Sequence, residues 1–252
     1  MMRIFIQILI IAIPFVSMAQ ADNEIQVYAS PTINKNWTIF ELHSNFTFRG
    51  SETLSDPKSA RWLNETLEIT HGFGKNFEIG FYTFSGLAPG GGYQYLGNQI
   101  RPRVTVPQDW KWNVGASLSA EFGFYRPTDT ASFIWQGEIR PIIDKTMGNW
   151  YVAFNPNIAI VLSGTNKEWG LTPQFKTVYT IQKKWGVGIE YYGDLGTFKK
   201  ILPVSQQEHL LGPMFDLYFH PLWEVNGGFL FGVTENSNQR IVKLLLGRRI
   251  AR

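Results

Sequence analysis

The chain contains no cysteine, which excludes a disulfide framework, a thiol nucleophile and a Cys-ligated metal. Beyond its N-terminus it also lacks long hydrophobic runs. Residues 4–16 are apolar, but a helix crossing a bilayer needs roughly 20 such residues. Charge is nearly balanced, at +3 over 252 residues, which gives no argument for nucleic acid or an acidic partner. Histidine is scarce, with His43, His71, His209 and His220 alone. No HExxH, phosphate loop, dinucleotide fingerprint or calcium loop occurs. No Ser/Pro linker or charge block divides the chain, so one domain is expected.

The first residues, Met1-Met2-Arg3, lead into that apolar run and then into Ser17-Met18-Ala19 before Gln20. This predicts a secretory signal peptide over residues 1–19, with Ala19-x-Ala21 as a rival cleavage site. Loss of Arg3 with the signal lowers the net charge to about +2. An exported chain with no membrane-spanning helix is either soluble or inserted as strands.

What is present decides between these. Residues 113–124 read Asn-Val-Gly-Ala-Ser-Leu-Ser-Ala-Glu-Phe-Gly-Phe, apolar at every even position and polar or glycine at every odd one. A strand sends successive side chains to opposite faces, so one face is apolar and the other small and polar. Residues 151–162 repeat the rule, with Val152, Phe154, Ile158, Ile160 and Leu162 on one side and Asn155 and Asn157 on the other. Aromatics make up 15% of residues and glycines number 24, while the mean hydropathy of −0.12 looks like that of a soluble protein. Barrels hide in such averages, because half of each strand faces lipid and half the lumen.

Alternation and turn residues predict strands over 37–49, 66–72, 77–84, 94–106, 113–125, 133–144, 151–162, 170–182, 186–196, 210–220, 224–233 and 241–250. Many reach the nine to eleven or so residues that a tilted strand needs to cross hydrocarbon. The expected fold is all-β: a transmembrane antiparallel up-and-down barrel of about 12 strands over residues 37–252, preceded by a periplasmic N-terminal arm over 20–36. Within that arm Ile25 to Tyr28 is β-like, and the segment either hangs free or tucks into the barrel mouth. A secreted β-sandwich or lipocalin-like barrel would show the same alternation with its apolar face inward.

Connections after even-numbered strands are tight and those after odd ones longer, most of all 50–65 and 197–209, which puts the even connections and both chain ends on the periplasmic side. Tryptophan agrees: Trp37, Trp110, Trp112, Trp150, Trp185 and Trp223 fall at the expected periplasmic ends, and Trp62, Trp135 and Trp169 at the outer ends. These form two aromatic girdles at the headgroup layers.

Residues 67–73 (Leu-Glu-Ile-Thr-His-Gly-Phe) and 77–82 (Phe-Glu-Ile-Gly-Phe-Tyr) resemble the second hairpin of a family of outer-membrane transporters of the meta-pathway of phenol degradation. The similarity extends to residues 186–192 (Gly-Val-Gly-Ile-Glu-Tyr-Tyr) and 244–249 (Leu-Leu-Leu-Gly-Arg-Arg). It implies a barrel in the outer membrane of a Gram-negative cell with a transport role, and it carries no solute over to this chain. Outer-membrane lipids and the barrel assembly machinery are the expected partners. One departure is the last strand, whose final outward residue is Ile250 rather than an aromatic.

Phasing each strand by its apolar face puts Glu41, Glu68, Glu78, Arg101, Arg103, Glu121, Glu138, Arg140, Lys176, Glu190, Asp194, Asp216, Glu224 and Lys243 inside. Glu78, Arg101, Arg103, Glu121, Glu138 and Arg140 lie on adjacent strands and predict a ladder of ion pairs, which either stiffens the barrel or screens solutes by charge. Inward Gly80, Gly97, Gly115, Ser117, Ser119, Gly123, Gly188, Gly212, Gly228 and Gly232 leave room for water or allow curvature. Tyr82, Tyr95, Tyr125, Tyr151, Tyr192 and Tyr218 are also placed inside. Ser44 and His71 share the outward face but lie roughly 20 Å apart along the wall, too far for a dyad. His209, beside Ser205 and Glu208 at the outer rim, is the one hydrolytic neighbourhood worth testing. No catalytic, cofactor or metal residue is assigned. The expected function is a channel or transporter for small solutes; the alternatives are a closed interaction barrel displaying its long loops or a lipid-modifying enzyme.

Overall fold

The computed structural model describes residues 24–51, 61–126, 132–163 and 167–251; the expected signal peptide lies outside them. Twelve strands succeed one another: β1 (Trp37–Arg49), β2 (Trp62–Gly72), β3 (Phe77–Leu87), β4 (Tyr93–Thr105), β5 (Gly115–Tyr125), β6 (Ile134–Met147), β7 (Trp150–Val161), β8 (Trp169–Ile181), β9 (Trp185–Asp194), β10 (Glu208–Leu217), β11 (Trp223–Gly232) and β12 (Arg240–Ala251). Each pairs antiparallel with its sequence neighbours, and β1 pairs with β12 to close the barrel. Closure leaves no unpaired sheet edge, the condition for backbone to cross hydrocarbon.

Burial decides which solvent surrounds it. Along β5, Leu118 and Phe122 are about half exposed while Ser119 and Glu121 are buried. The same inversion runs round the wall, with Ile100, Val104, Ile143, Phe154, Ile189 and Phe215 exposed and Arg101, Arg140, Glu68 and Glu190 buried. Apolar outside and charged inside is the arrangement of a barrel solvated by lipid. A secreted sandwich or lipocalin-like barrel would need the opposite.

Two local departures from the alternation reading have physical causes. β2 starts at Trp62, four residues before the expected 66, and its ladder with β1 runs on without a break to Thr47↔Trp62. At that phase Trp62 points inward, 5% exposed, into an apolar cluster with Tyr82, Phe84 and Leu96. It does not belong to an outer girdle. Its ring fits because Gly86 faces it; a Cβ there would lie 2.6 Å from Trp62 Nε1. Then β4 carries one extra residue, Leu96, where the pairing jumps from Phe84↔Gly97 to Ser85↔Tyr95. Such a bulge reverses the facing of the residues beyond it on the ladder. Tyr95, expected inside, therefore faces out, 44% exposed and packed on Phe133.

Prolines interrupt one seam. Pro156 is paired with Pro173 in the β7–β8 register, and the β6–β7 ladder breaks between Ile139↔Ile158 and Ile143↔Phe154, the stretch that holds Pro141 and Pro156. Each proline withholds a backbone donor.

Candidate functional site

Residues 24–36 form no strand, yet they run inside the barrel. A non-strand segment must find partners for its backbone polar groups, and here wall side chains supply them. Asn155 brackets Tyr28, accepting from its N–H (2.7 Å) and donating to its carbonyl (3.1 Å). Asp144 accepts from the Ser30 N–H (2.6 Å) and hydroxyl (2.8 Å). Arg103 donates to the carbonyls of Ala29 (2.9 Å) and Pro31 (3.0 Å), Lys243 to that of Ile25 (3.1 Å), and the Ile33 N–H donates to Glu78 (2.6 Å). Ile25 and Val27 pack on Ala153, Tyr192, Leu210, Leu230 and Ile241, which are apolar residues on the otherwise polar inner face.

Tyr28 stands at the centre. Its ring contacts two guanidiniums, Arg101 at 4.6 Å and Arg140 at 4.4 Å from the centroid, with Arg103 at 5.6 Å. Its hydroxyl donates to Glu24 and sits 3.0 Å from Tyr82 Oη and 3.3 Å from Glu68. Cations over an aromatic face attract its quadrupole, so the ring binds two like charges that would otherwise face each other across water.

The inward charges form three nests rather than one ladder. In the first, Arg101 donates to Glu68 (2.6 Å) and Thr70 (3.1 Å) and reaches Glu78 at 3.4 Å, while Arg103 pairs with Glu78 at 2.7 Å. Gly80 makes this possible, since a Cβ there would lie 3.2 Å from Arg101 Nη2. In the second, Glu121 and Glu138 stand directly opposite in register, a like-charge pair that Arg140 resolves by a hydrogen bond to Glu138 (2.7 Å) and an ion pair with Glu121 (3.2 Å), with Glu24 at 3.9 Å. Gln99 also donates to Glu121. The third joins Lys176 to Asp216 (3.0 Å) and Glu190 (3.5 Å), and Lys243 to Glu190 and Tyr192. Asp194 stands apart near the far rim, where it accepts from the Gly196 N–H at 2.9 Å. Tyr28 separates the first two nests, which is why the ladder is not continuous.

Arg101 is 1% exposed. Replacing it with alanine would leave Glu68 and Glu78 buried without their main counterion, and stripping one partner from a buried pair typically costs about 3–5 kcal/mol. Arg101→Ala is expected to lower the stability of the refolded barrel by that amount in denaturant titration, with an unchanged strand signal in the fraction that remains folded.

Several inward glycines clear space for the segment rather than for water. A Cβ at Gly72 would lie 2.7 Å from the Ile33 carbonyl oxygen, and one at Gly115 would overlap Ser30 and Asp144. Others serve close strand approach: a Cβ at Gly123 would lie 2.7 Å from Gln99 Cα, and one at Gly212 would lie 2.9 Å from Leu230 Cα. Trp110, Trp112, Trp150 and Trp185 are exposed at the end where β1 begins and β12 finishes, and Trp223 lies there under Arg248 (4.9 Å). Trp37 instead lines an inner cavity at that end. At the other end Trp135, stacked on Phe122 (5.2 Å), and Trp169 face out.

The histidines carry no hydrolytic arrangement among the described residues. His71 bonds Thr38 (2.8 Å) and Ser44 bonds Glu65 (3.1 Å), on separate levels of the wall. The ring nitrogens of His209 lie at 2.7 Å from Tyr191 Oη and 2.8 Å from Gln207 Oε1, not against Ser205. The long 195–207 connection folds back on the rim through Phe198 N–H to the Trp169 carbonyl (3.0 Å). Beside it, hydrogen bonds from Thr197 (3.0 Å) and Lys199 (3.3 Å) hold the Glu168 carboxyl below its usual range.

No family model and no curated protein matches the chain in sequence. Solved structures do match in fold. An outer membrane channel from Pseudomonas putida F1 superimposes over 90% of this chain and 100% of its own, with a TM-score of 0.63 at 11% identity. The KdgM porin matches over 83% of this chain and 98% of its own (TM-score 0.53, 12% identity). The translocator domain of the autotransporter NalP from Neisseria meningitidis matches over 87% and 90% (TM-score 0.53, 10% identity). The fold is thus that of outer-membrane β-barrels. A channel, a porin and a translocator share it, so function has to be argued from the lumen.

Proposed function

We propose that the protein is a small-solute channel of the Gram-negative outer membrane, closed from the periplasmic side by residues 24–36. One observation carries this: the lumen is filled by a separate, non-strand segment held by side-chain hydrogen bonds, such as those from Asn155, Asp144 and Arg103. A barrel built only as a scaffold has no need of a removable filling. In this reading residues 1–19 are the export signal, residues 37–252 the barrel, and the exposed tryptophans at the end where β1 begins its periplasmic girdle. Lipids and the barrel assembly machinery are its partners. The resemblance of residues 67–82, 186–192 and 244–249 to outer-membrane transporters supports the transport role.

With the segment displaced, the three nests would line the open lumen, and their guanidinium and carboxylate groups would set which ions pass. A unit charge about 4 Å from an ion contributes ~1 kcal/mol even in water, roughly fivefold in a permeability ratio. Arg103→Ala is therefore expected to shift single-channel selectivity toward cations and Glu121→Ala toward anions, each by about that factor. The near-total burial of Arg101 and Arg140 favours the second reading, a closed interaction barrel that presents the long connections after β1 and β9 to a partner. In that case both substitutions change stability and neither produces or alters a current.

A further inference from the structure

A cavity of about 550 Å³ lies between the N-terminal segment and the wall at the end where β1 begins, with Trp37, Ile39, Glu41, Leu222, Glu224 and Arg249 on its wall side. Glu41 is 6% exposed, and no described residue gives its carboxylate a hydrogen bond or ion pair. The charges lining the cavity balance, Glu41, Glu78 and Glu224 against Arg101, Arg103 and Arg249, and every one but Glu41 is ion-paired. Arg101 is bonded to Glu68 (2.6 Å), Arg103 to Glu78 (2.7 Å), and Arg249 to Glu224. His43 is turned to Glu68 at 3.5 Å. Glu41 is left as the one carboxyl of this lining without a bonded cation.

Strand register explains how it stays alone. Glu41 is paired with Glu68 on one side and Gly247 on the other, and Gly247 is paired with Glu224. Three carboxylates therefore share one row of the wall, and only a hydrogen atom stands between Glu41 and Glu224. A Cβ at Gly247 would lie 3.1 Å from Glu41 Cγ and 3.1 Å from Glu224 Cβ. A carboxylate withdrawn from water without a partner costs several kcal/mol, and a cationic ligand would remove that cost.

We infer that this cavity binds a small organic ammonium ion, its charged head on Glu41 and its alkyl body against Ile39, Trp37 and Leu222. Trp37 adds an aromatic face suited to a cation. A metal ion fits less well, because no group of three acidic or histidine side chains able to hold one occurs among the described residues. As a solute class the inference rests on the channel reading; as a binding site it stands without it.

Calorimetric titration of the full barrel in detergent with n-butylammonium, n-butanol and butyrate, which share an alkyl chain and differ in charge, tests it. Saturable binding of n-butylammonium alone is expected. It should weaken by ~10- to 100-fold in Glu41→Gln, the loss of one charge-assisted hydrogen bond, and be retained in Glu41→Asp. No ammonium binding, equal binding of all three probes, preference for butyrate, or an unchanged affinity in Glu41→Gln would overturn it. Should Glu41→Gln not fold, the three probes on the unaltered protein decide the matter alone. No current is read, so a barrel that proves silent in bilayers leaves the result standing.

Discussion

Deleting residues 22–35 is expected to convert small or rare current steps into frequent steps several-fold larger in planar bilayers. The deletion takes Tyr28 away from Arg101 and Arg140 and withdraws Ile25 and Val27 from the apolar patch of β9 to β12. It leaves every strand ladder intact, because β1 begins at Trp37. The emptied lumen keeps its internal ion pairs, since Glu68, Glu78, Glu121 and Glu138 neutralise the three arginines from the wall itself. Asp144, Asn155 and Lys243 lose backbone partners, but those groups then face water, which replaces the bonds at little net cost. The barrel should therefore still refold, as judged by its strand signal and by its faster migration on unheated gels. Persistent silence of a folded deletion variant would sink the channel reading and turn attention to loop partners or to the rim around His209.

How much of this is legible in the sequence depends on the range of the interaction. Strand identity and facing are local: in residues 113–124 a one-residue alternation fixes which side chain meets lipid, and β5 obeys it. The inner position of the arginines and glutamates comes from the same phase. Alternation misleads where one residue breaks the phase. Leu96 adds a residue to β4 and turns Tyr95 outward, and nothing in Tyr-Leu-Gly announces the bulge except Gly97, held at φ 153°. Trp62 reads as a girdle residue because a large indole on the polar phase looks like a strand end; the alternation of Trp62, Asn64 and Thr66 is the signal that places it inside. The docking of residues 24–36 is different in kind. Asn155 meets Tyr28 across 127 residues, which no local pattern encodes. A signal does exist in composition by face: Leu210, Leu230 and Ile241 are apolar on inward positions of neighbouring strands, and an apolar patch in a polar lumen calls for an occupant such as Ile25 and Val27.

Tyr28→Phe and Tyr28→Ala should separate the two ways the segment is anchored. Phenylalanine keeps the ring that Arg101 and Arg140 contact and removes the hydroxyl bonded to Glu24 and close to Tyr82 and Glu68. A net hydrogen bond is worth about 1 kcal/mol, and more to a charged group, so the open-to-closed ratio should rise by roughly tenfold or somewhat more. Alanine removes the ring as well. Each desolvated cation–π contact contributes up to ~2 kcal/mol, and without the ring two guanidiniums face each other over the space it filled. Tyr28→Ala is therefore expected to exceed Tyr28→Phe by a further ~10- to 100-fold in open probability, approaching the deletion variant. Single-channel dwell times measure both directly. Equal effects would assign the anchoring to the hydroxyl network. An unchanged Tyr28→Ala would assign it to the backbone bonds from Asp144, Asn155 and Arg103, which neither substitution touches, and the ring would then serve only to keep Arg101 and Arg140 apart.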